Sequence, residues 1–223
     1  MDVMEGSFEL TLNGESIKIE NVPPNTTLAD WLRARGSTGT KQGCSEGDCG
    51  ACTVNLVERD AQGRPCFRAI NSCIALVPMV AGRELVTVEG LDGHAVQDAM
   101  VGHYGSQCGY CTPGFVMSMF EGFYRDIARP DEVADQLCGN LCRCTGYRPI
   151  RDAMCEAIEK RTPMDAFTAQ LGNARFRAEP LDYAAAGMRF LRPTSTQELL
   201  ALRAEHPDAV LVAGATEIGV EIT

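Results

Sequence analysis

The chain has 223 residues, and its 20 basic side chains against 30 acidic ones leave a formal net charge of −10. That length allows one large or two small domains. The negative balance argues against a nucleic-acid or anionic-membrane surface, and no run approaches the roughly 18–20 apolar residues of a membrane span. The first residues, Met1 to Glu5, lack the charged-then-apolar start of a secretory signal. The unusual number is eleven cysteines. An odd count, in a chain large enough to fold by burial, points away from a disulfide framework and toward thiols that hold metal in a reducing, cytoplasmic setting.

Phe8 to Leu12 and Ser16 to Glu20 alternate apolar and polar residues around Asn13-Gly14, which predicts a β-hairpin. Thr27 starts a helix with Leu28, Trp31 and Leu32 on one face, and Gly36 stops it. The glycine-rich stretch 37–50 has no apolar periodicity and reads as a loop. Cys52 to Val57 and Arg83 to Glu89 read as strands, so residues 1–92 form a small α+β unit. From Gly93 the period becomes helical. Val96, Met100 and His103 mark one helix, and Phe115, Met119, Phe123 and Ile127 a second, begun at Thr112-Pro113. Asp131 to Leu137 is a short third, and Ile150, Met154 and Ile158 mark a fourth, giving a helical unit over 93–162. Residues 163–188 lose periodicity and read as a linker or a long surface crossing. In 189–223, Thr196 to Ala204 reads as a helix and Ala209 to Val212 as a strand running into Gly214. This tail is too short to bury a core alone, and it is expected to be the opening of a third domain that is mostly absent.

Two cysteine sets carry the chemistry. Cys44, Cys49 and Cys52, followed by Cys73, have the spacing C-x4-C-x2-C…C of plant-type 2Fe–2S proteins. Soft thiolates suit iron–sulfur chemistry, and Gly43, Gly47 and Gly50 let the backbone wrap a cluster and turn amides toward sulfur. A structural zinc site would pair its ligands as two knuckles, which this triplet does not do. The second set is Cys108 and Cys111 with Cys142 and Cys144. It reads as metal-binding, with zinc and iron–sulfur both open on spacing alone. Cys111 stands before a helix N-terminus, which favours thiolate. Cys66, Cys138 and Cys155 are expected to be core packing. His94, His103 and His206 sit in no ligand spacing, and Asp131 and Asp135 read as a solvated helix face.

The strings Gln-Gly-Cys44-Ser-Glu-Gly-Asp-Cys-Gly-Ala-Cys-Thr-Val, Gln107-Cys-Gly-Tyr-Cys-Thr-Pro-Gly-Phe and Gly139-Asn-Leu-Cys-Arg-Cys-Thr-Gly-Tyr-Arg-Pro-Ile closely resemble the molybdenum hydroxylases, the xanthine dehydrogenase and aldehyde oxidase family. The resemblance runs from about residue 7 to 160 and resumes at 189. It implies an α+β architecture: a β-grasp 2Fe–2S ferredoxin domain, then an all-helical 2Fe–2S domain, then the start of an FAD domain. By match to the motifs, Cys44, Cys49, Cys52 and Cys73 would hold the first cluster, and Cys108, Cys111, Cys142 and Cys144 the second. Gln107 would contact molybdopterin. Arg192-Pro-Thr-Ser, with Leu211, Val212, Ala213, Gly214, Ala215, Thr216, Glu217 and Ile218, resembles the family's FAD pyrophosphate turn, with Ala215 where relatives often carry Gly or Asn. Iron–sulfur domains followed by a flavin start are similar to the small subunits of bacterial xanthine dehydrogenases. The resemblance thus implies an oxidoreductase subunit without catalytic residues of its own, in a hetero-oligomer. Its partner would be a large subunit that binds the molybdenum cofactor. Electrons would pass through the helical-domain cluster, the β-grasp cluster and FAD to NAD. The expected alternatives are another molybdenum hydroxylase acting on aldehydes or N-heterocycles, and a free-standing ferredoxin-like carrier.

Overall fold

The computed structural model describes residues 6–125, 127, 129–162, 164–174 and 179–222. Strands β1 (Ser7–Leu12) and β2 (Glu15–Glu20) pair antiparallel. The two turn residues between them, Asn13 and Gly14, lie at φ 51° and 86°, which the twist of a two-residue hairpin demands. Helix α1 (Leu28–Ala34) begins where Thr27 Oγ1 accepts the Asp30 amide at 3.1 Å. It lays Leu28, Ala29, Trp31 and Leu32 on the sheet. Strands β3 (Thr53–Arg59), β4 (Pro65–Asn71) and β5 (Glu84–Val86) complete a mixed sheet in the order β2-β1-β5-β3-β4, the β-grasp arrangement of a helix on a five-stranded sheet.

Strand β4 has no clear sequence signature, because Phe67 is its one fully buried side chain. The expected strand 83–89 is shortened to β5. At its end Thr87 turns away to donate its amide to Asn13 Oδ1 at 2.8 Å, and a 3-10 turn follows at Val88–Gly90.

Helices α2 (Ala95–Gly102), α3 (Thr112–Phe123), α4 (Pro130–Leu137) and α5 (Arg148–Glu159) form the helical half. Helix α3 is central, burying Phe115, Val116, Met117, Met119, Phe120 and Phe123. Ile127, expected on its apolar row, lies past the helix end but packs on the same core. That core also contains Val57, Phe67 and Val86 from the sheet. Asn55 Nδ2, fully buried in β3, donates to Met117 O of α3 at 2.8 Å. The two halves are therefore packed face to face.

The segment 163–188 is more than a linker. Residues 163 and 175–178 lie outside the described residues, but the remainder carries helix α6 (Ala166–Asn173) and strand β6 (Leu181–Ala185), which pairs with β7 (Met188–Arg192). Asp165 Oδ1 caps α6 by accepting the Thr168 amide at 2.7 Å, and Phe167 and Leu171 pack on the helical core. Tyr183 of β6 is 1% exposed inside the β-grasp core, edge-on to Phe8 with ring centres 4.8 Å apart. Its hydroxyl accepts from Val22 N at 3.0 Å and donates to Val22 O at 2.6 Å. The strap has no apolar period because each short piece sends only one or two anchors into cores built by other elements.

Helix α7 (Thr196–Glu205) forms where expected but buries no side chain fully. The strand expected at 209–212 does not form; these residues join no sheet among the described residues, because no neighbouring strand offers them a ladder. Helix α8 (Ile218–Ile222) follows. Among the described residues no helix is long and apolar enough to cross a membrane.

Replacing Tyr183 by Phe removes both Val22 partners while keeping the ring. The expected loss is about 1–2 kcal/mol, the cost of an unmade part-buried hydrogen bond set. Urea unfolding of the two proteins checks it, and unchanged midpoints would show that the strap is not anchored this way.

Candidate functional site

The loop after α1 wraps tightly because Ser45, Gly47 and Gly50 take left-handed backbone at φ 63°, 85° and 68°. This turns amides inward. Cys44 N–H donates to Cys49 Sγ at 3.3 Å, and Cys49 N–H donates to Cys44 Sγ at 3.3 Å. Burial opposes charge on Cys44. The amides of Glu46, Cys49 and Asp48 and the Cys49 thiol outweigh it and hold the Cys44 thiol below its ordinary pKa. Cys52 and Cys73, each 2% exposed, meet thiol to thiol across the end of the sheet. The bond from Cys73 is the main cause that lowers Cys52 to about 6, and the same bond with burial drives Cys73 upward. The Gly47 amide also faces the Cys73 sulfur.

The second set is built at helix ends. Cys111 caps α3, while Cys142 and Cys144 lie in the turn before α5, closed by Gly146 and Tyr147, both at φ 68°. Cys111 pairs with Cys142, and Cys108 with Cys144, by thiol–thiol hydrogen bonds. Burial, reinforced by Cys142, pushes the Cys111 thiol up to about 12. Burial also opposes charge on Cys142, but the Thr145 hydroxyl at 3.2 Å and the amides of Thr145 and Cys144, each at 3.4 Å, bring its pKa below the ordinary value. Cys108 and Cys144 are exposed.

Each predicted set is thus brought together as two thiol pairs. Among the described residues no three His, Cys, Asp or Glu side chains converge as a single-ion site. Two pairs of soft sulfur donors with amides aimed at them fit a two-iron centre, in which each iron takes two protein thiolates.

The two sets are joined by a seam that sequence reasoning missed. Leu141 N–H, one residue before Cys142, donates to the Cys49 carbonyl at 3.0 Å. Asn140, 3% exposed, donates through Nδ2 to Gly50 O at 2.9 Å and accepts from Ser118 Oγ at 2.6 Å. Thr53 Oγ1 donates to the same Gly50 carbonyl at 2.6 Å. Backbones touch here: a Cβ on Gly114 would lie 2.1 Å from Gly50 O, and one on Gly50 would lie 2.4 Å from both Asn140 Nδ2 and Gly139 O. Tyr110 adds a hydroxyl bond to the Gln42 carbonyl. An isolated glycine within a helical pattern, Gly114, was the available signal of this close approach.

Gln107 is exposed beside Cys108, and Arg143 is exposed between Cys142 and Cys144. Cys138 is exposed rather than packed in the core, because the last turn of α4 directs Val133 and Leu137 inward and leaves position 138 outside; Cys66 and Cys155 are half-buried. His94 is 8% exposed, caps α2, and places Nε2 at 2.9 Å from the Tyr124 hydroxyl, whereas His103 Nε2 lies 2.7 Å from Glu156. In the tail, Leu211, Ala213, Gly214, Thr216 and Glu217 are exposed and Val212 and Ile218 half-buried. Ala215 is 2% exposed and left-handed at φ 58°, a conformation that Gly or Asn adopts at less cost.

Because the Gly114 contact is with backbone, Gly114→Ala should force α3 off the first thiol loop. A destabilisation of about 1–3 kcal/mol is expected from such overpacking. Thermal unfolding checks it, with Gly172→Ala, a helical glycine facing open space where alanine is expected to cost nothing, as the control.

A family model described as a 2Fe-2S iron-sulfur cluster binding domain matches residues 10–78, and one described as a 2Fe-2S binding domain matches residues 87–155. Each contains one complete thiol set, so the chain carries two 2Fe–2S binding domains. Xanthine dehydrogenase of Emericella nidulans is 34% identical over 98% of this chain and 20% of its own length. The chain spans about a fifth of the length of the curated relatives it matches. Quinoline 2-oxidoreductase from Pseudomonas putida 86 superimposes with a TM-score of 0.60 at 35% identity, covering 70% of this chain and 98% of that one. Aldehyde oxidoreductase from Desulfovibrio gigas gives 0.62 at 34% identity, covering 71% of this chain and 18% of that one. Since the match to the quinoline enzyme's chain extends over nearly all of it, and both thiol sets fall inside matching domain models, this protein belongs to the molybdenum hydroxylase family, within its iron–sulfur portion.

Proposed function

We propose that this chain is the electron-transfer subunit of a molybdenum hydroxylase of the xanthine dehydrogenase type. It would stand between a large subunit binding the molybdenum cofactor and FAD with NAD as acceptor. The observation that carries this reading is the Leu141 N–H bond to Cys49 O at 3.0 Å. It links a residue bonded to one member of the second thiol set directly to a member of the first. A lone carrier needs one thiol set and no such bridge.

On this reading Cys44, Cys49, Cys52 and Cys73 hold the first 2Fe–2S cluster, and Cys108, Cys111, Cys142 and Cys144 the second. When bound, each cluster supplies a one-electron store whose potential depends on charge, hydrogen bonds and exposure. The chain's own residues set those terms. Amides of Cys44, Glu46, Asp48 and Cys49 favour negative charge on the first set, and those of Cys144 and Thr145 on the second. Asn140 and Ser118 hold the two loops in contact while keeping water from the seam.

The second set faces outward. Tyr110, between Cys108 and Cys111, and Leu141, beside Cys142, are 50% and 55% exposed. A cleft of about 390 Å³ includes Leu141 in its lining, with Phe115, Leu137, Tyr147 and Ile150 beside Arg148 and Arg151. This surface suits docking of the molybdenum-binding subunit, with Gln107 at its pterin. Residues 211–218 would contribute the FAD turn. The alignment with xanthine dehydrogenase extends over 98% of this chain, whereas the quinoline enzyme's chain covers 70% of it, which favours the xanthine dehydrogenase arrangement, in which the iron–sulfur domains run on into a flavin domain.

The chain reconstituted with iron and sulfide should contain about four of each, two per cluster. Cys73→Ser should remove only one paramagnetic signal of the reduced protein, and Cys144→Ser only the other. Stoichiometric zinc without visible absorption would overturn the cluster reading. Loss of both signals from either substitution would overturn the division into two sites.

A further inference from the structure

The tail is seated on the first thiol set. Gly219, at the start of α8, is buried, and its amide closes the turn by donating to Ala215 O at 2.7 Å. A Cβ built on Gly219 would lie 2.3 Å from Ile74 O, 2.8 Å from its Cα and 2.9 Å from its carbonyl carbon. Backbone therefore rests on backbone at the residue that follows Cys73, with no room for a side chain. Ile74 reaches in the other direction too. Its side chain covers Gly47, where a Cβ would meet Ile74 Cδ1 at 2.9 Å. It packs on Ala29, Cys52 and Cys73. The Gly47 carbonyl is in turn held by Asn71, two residues before Cys73. The contacts form a short chain: turn 215–219, the Ile74 peptide, Gly47 and the Cys73 sulfur.

We propose that Gly219 is a positioning residue for the first cluster: its missing side chain lets the 215–219 turn press on the Ile74 peptide, so that a displacement of that turn shifts the Ile74 side chain where it packs on Gly47 and Cys73. The proposal rests on the reading of Cys73 as a cluster ligand and does not require that the turn bind flavin. Its physical basis is that potentials of iron–sulfur centres respond to hydrogen bonds at sulfur and to exposure. Close-packed backbone contacts also transmit small shifts instead of absorbing them. It gives the turn a second role, in which its position biases the first cluster and leaves the second, held at the α3 and α5 ends, untouched.

The test is a redox titration of the reconstituted 223-residue chain, followed by electron paramagnetic resonance, for wild type, Gly219→Ala, Ile74→Ala and Gly172→Ala. Gly219→Ala should change the oxidised-to-reduced ratio of the first cluster by about threefold or more at the wild-type midpoint and alter its signal shape, with the second cluster unchanged. Ile74→Ala removes the cover over Gly47 without loading the turn and should also move only the first cluster, which keeps the test open if Gly219→Ala fails to fold. Gly172→Ala should move neither. Both clusters unchanged in Gly219→Ala and Ile74→Ala would overturn the coupling, as would equal shifts of both. A wild-type chain that assembles no first cluster would overturn the ligand reading instead, and the proposal with it.

Discussion

The carbonyl of Gly50 sits where the two halves of the molecule close on each other. It lies against the N-terminal turn of α3 with no space for a Cβ at Gly114, and it accepts from Asn140 Nδ2, Thr53 Oγ1 and the Thr53 amide at 2.9, 2.6 and 3.2 Å. A carbonyl removed from water at such a place is costly unless paired. Its donors come from both halves: Thr53 serves it from its own loop, and Asn140 ties it to the helical half. The same closure places Leu141 on Cys49 and sets the separation of the two thiol sets. Glycine at 50 and 114 is what allows the backbones to meet.

Around this seam the packing is continuous. The helical core takes in Val57, Phe67 and Val86 from the sheet, and α6 bridges the halves by sending Phe167 to the helices and bonding Gln170 to Glu84 of β5 at 2.6 Å. On the opposite edge, Tyr183 and the β6–β7 hairpin fasten onto the β-grasp core, and Arg192 reaches the Ala81 carbonyl at 2.9 Å. A strap of this kind resists separation of the halves at both ends. That suits a molecule in which a small change in distance between two redox centres would alter function.

The electrostatics of the two sets differ in kind. The first is enclosed, with Cys52 and Cys73 nearly inaccessible and Cys44 and Cys49 wrapped by their own loop amides. The second is open on one side, where Cys108 and Cys144 reach solvent among exposed aromatic and aliphatic side chains. Burial raises thiol pKa values and amide bonds lower them, so the enclosed set depends on its amides more heavily. The net charge of −10 adds a general field against further negative charge, which local N–H groups must offset.

Much of this was legible along the chain. Asn13-Gly14 specified the hairpin, Thr27 and Gly36 bounded α1, and the i+4 row from Phe115 to Phe123 specified α3, because turn chemistry, capping and helical period are local properties. The cysteine spacings pointed to two thiol sets, since most members of each set fall within short loops. What stayed hidden depended on partners distant in sequence. Strand β4 and the strap α6–β6 show no clear period, because Phe67, Phe167 and Tyr183 are the large anchors of short pieces that dock in cores other elements build. The strand expected at 209–212 failed for the converse reason: a good local pattern found no ladder to join. The partnership of Asn140 with Gly50, ninety positions apart, and the seat of Gly219 on Ile74 were decided by the tertiary fold alone, because a glycine shows in sequence only that a side chain is missing, and the backbone that fills its place is known only once the chain has folded.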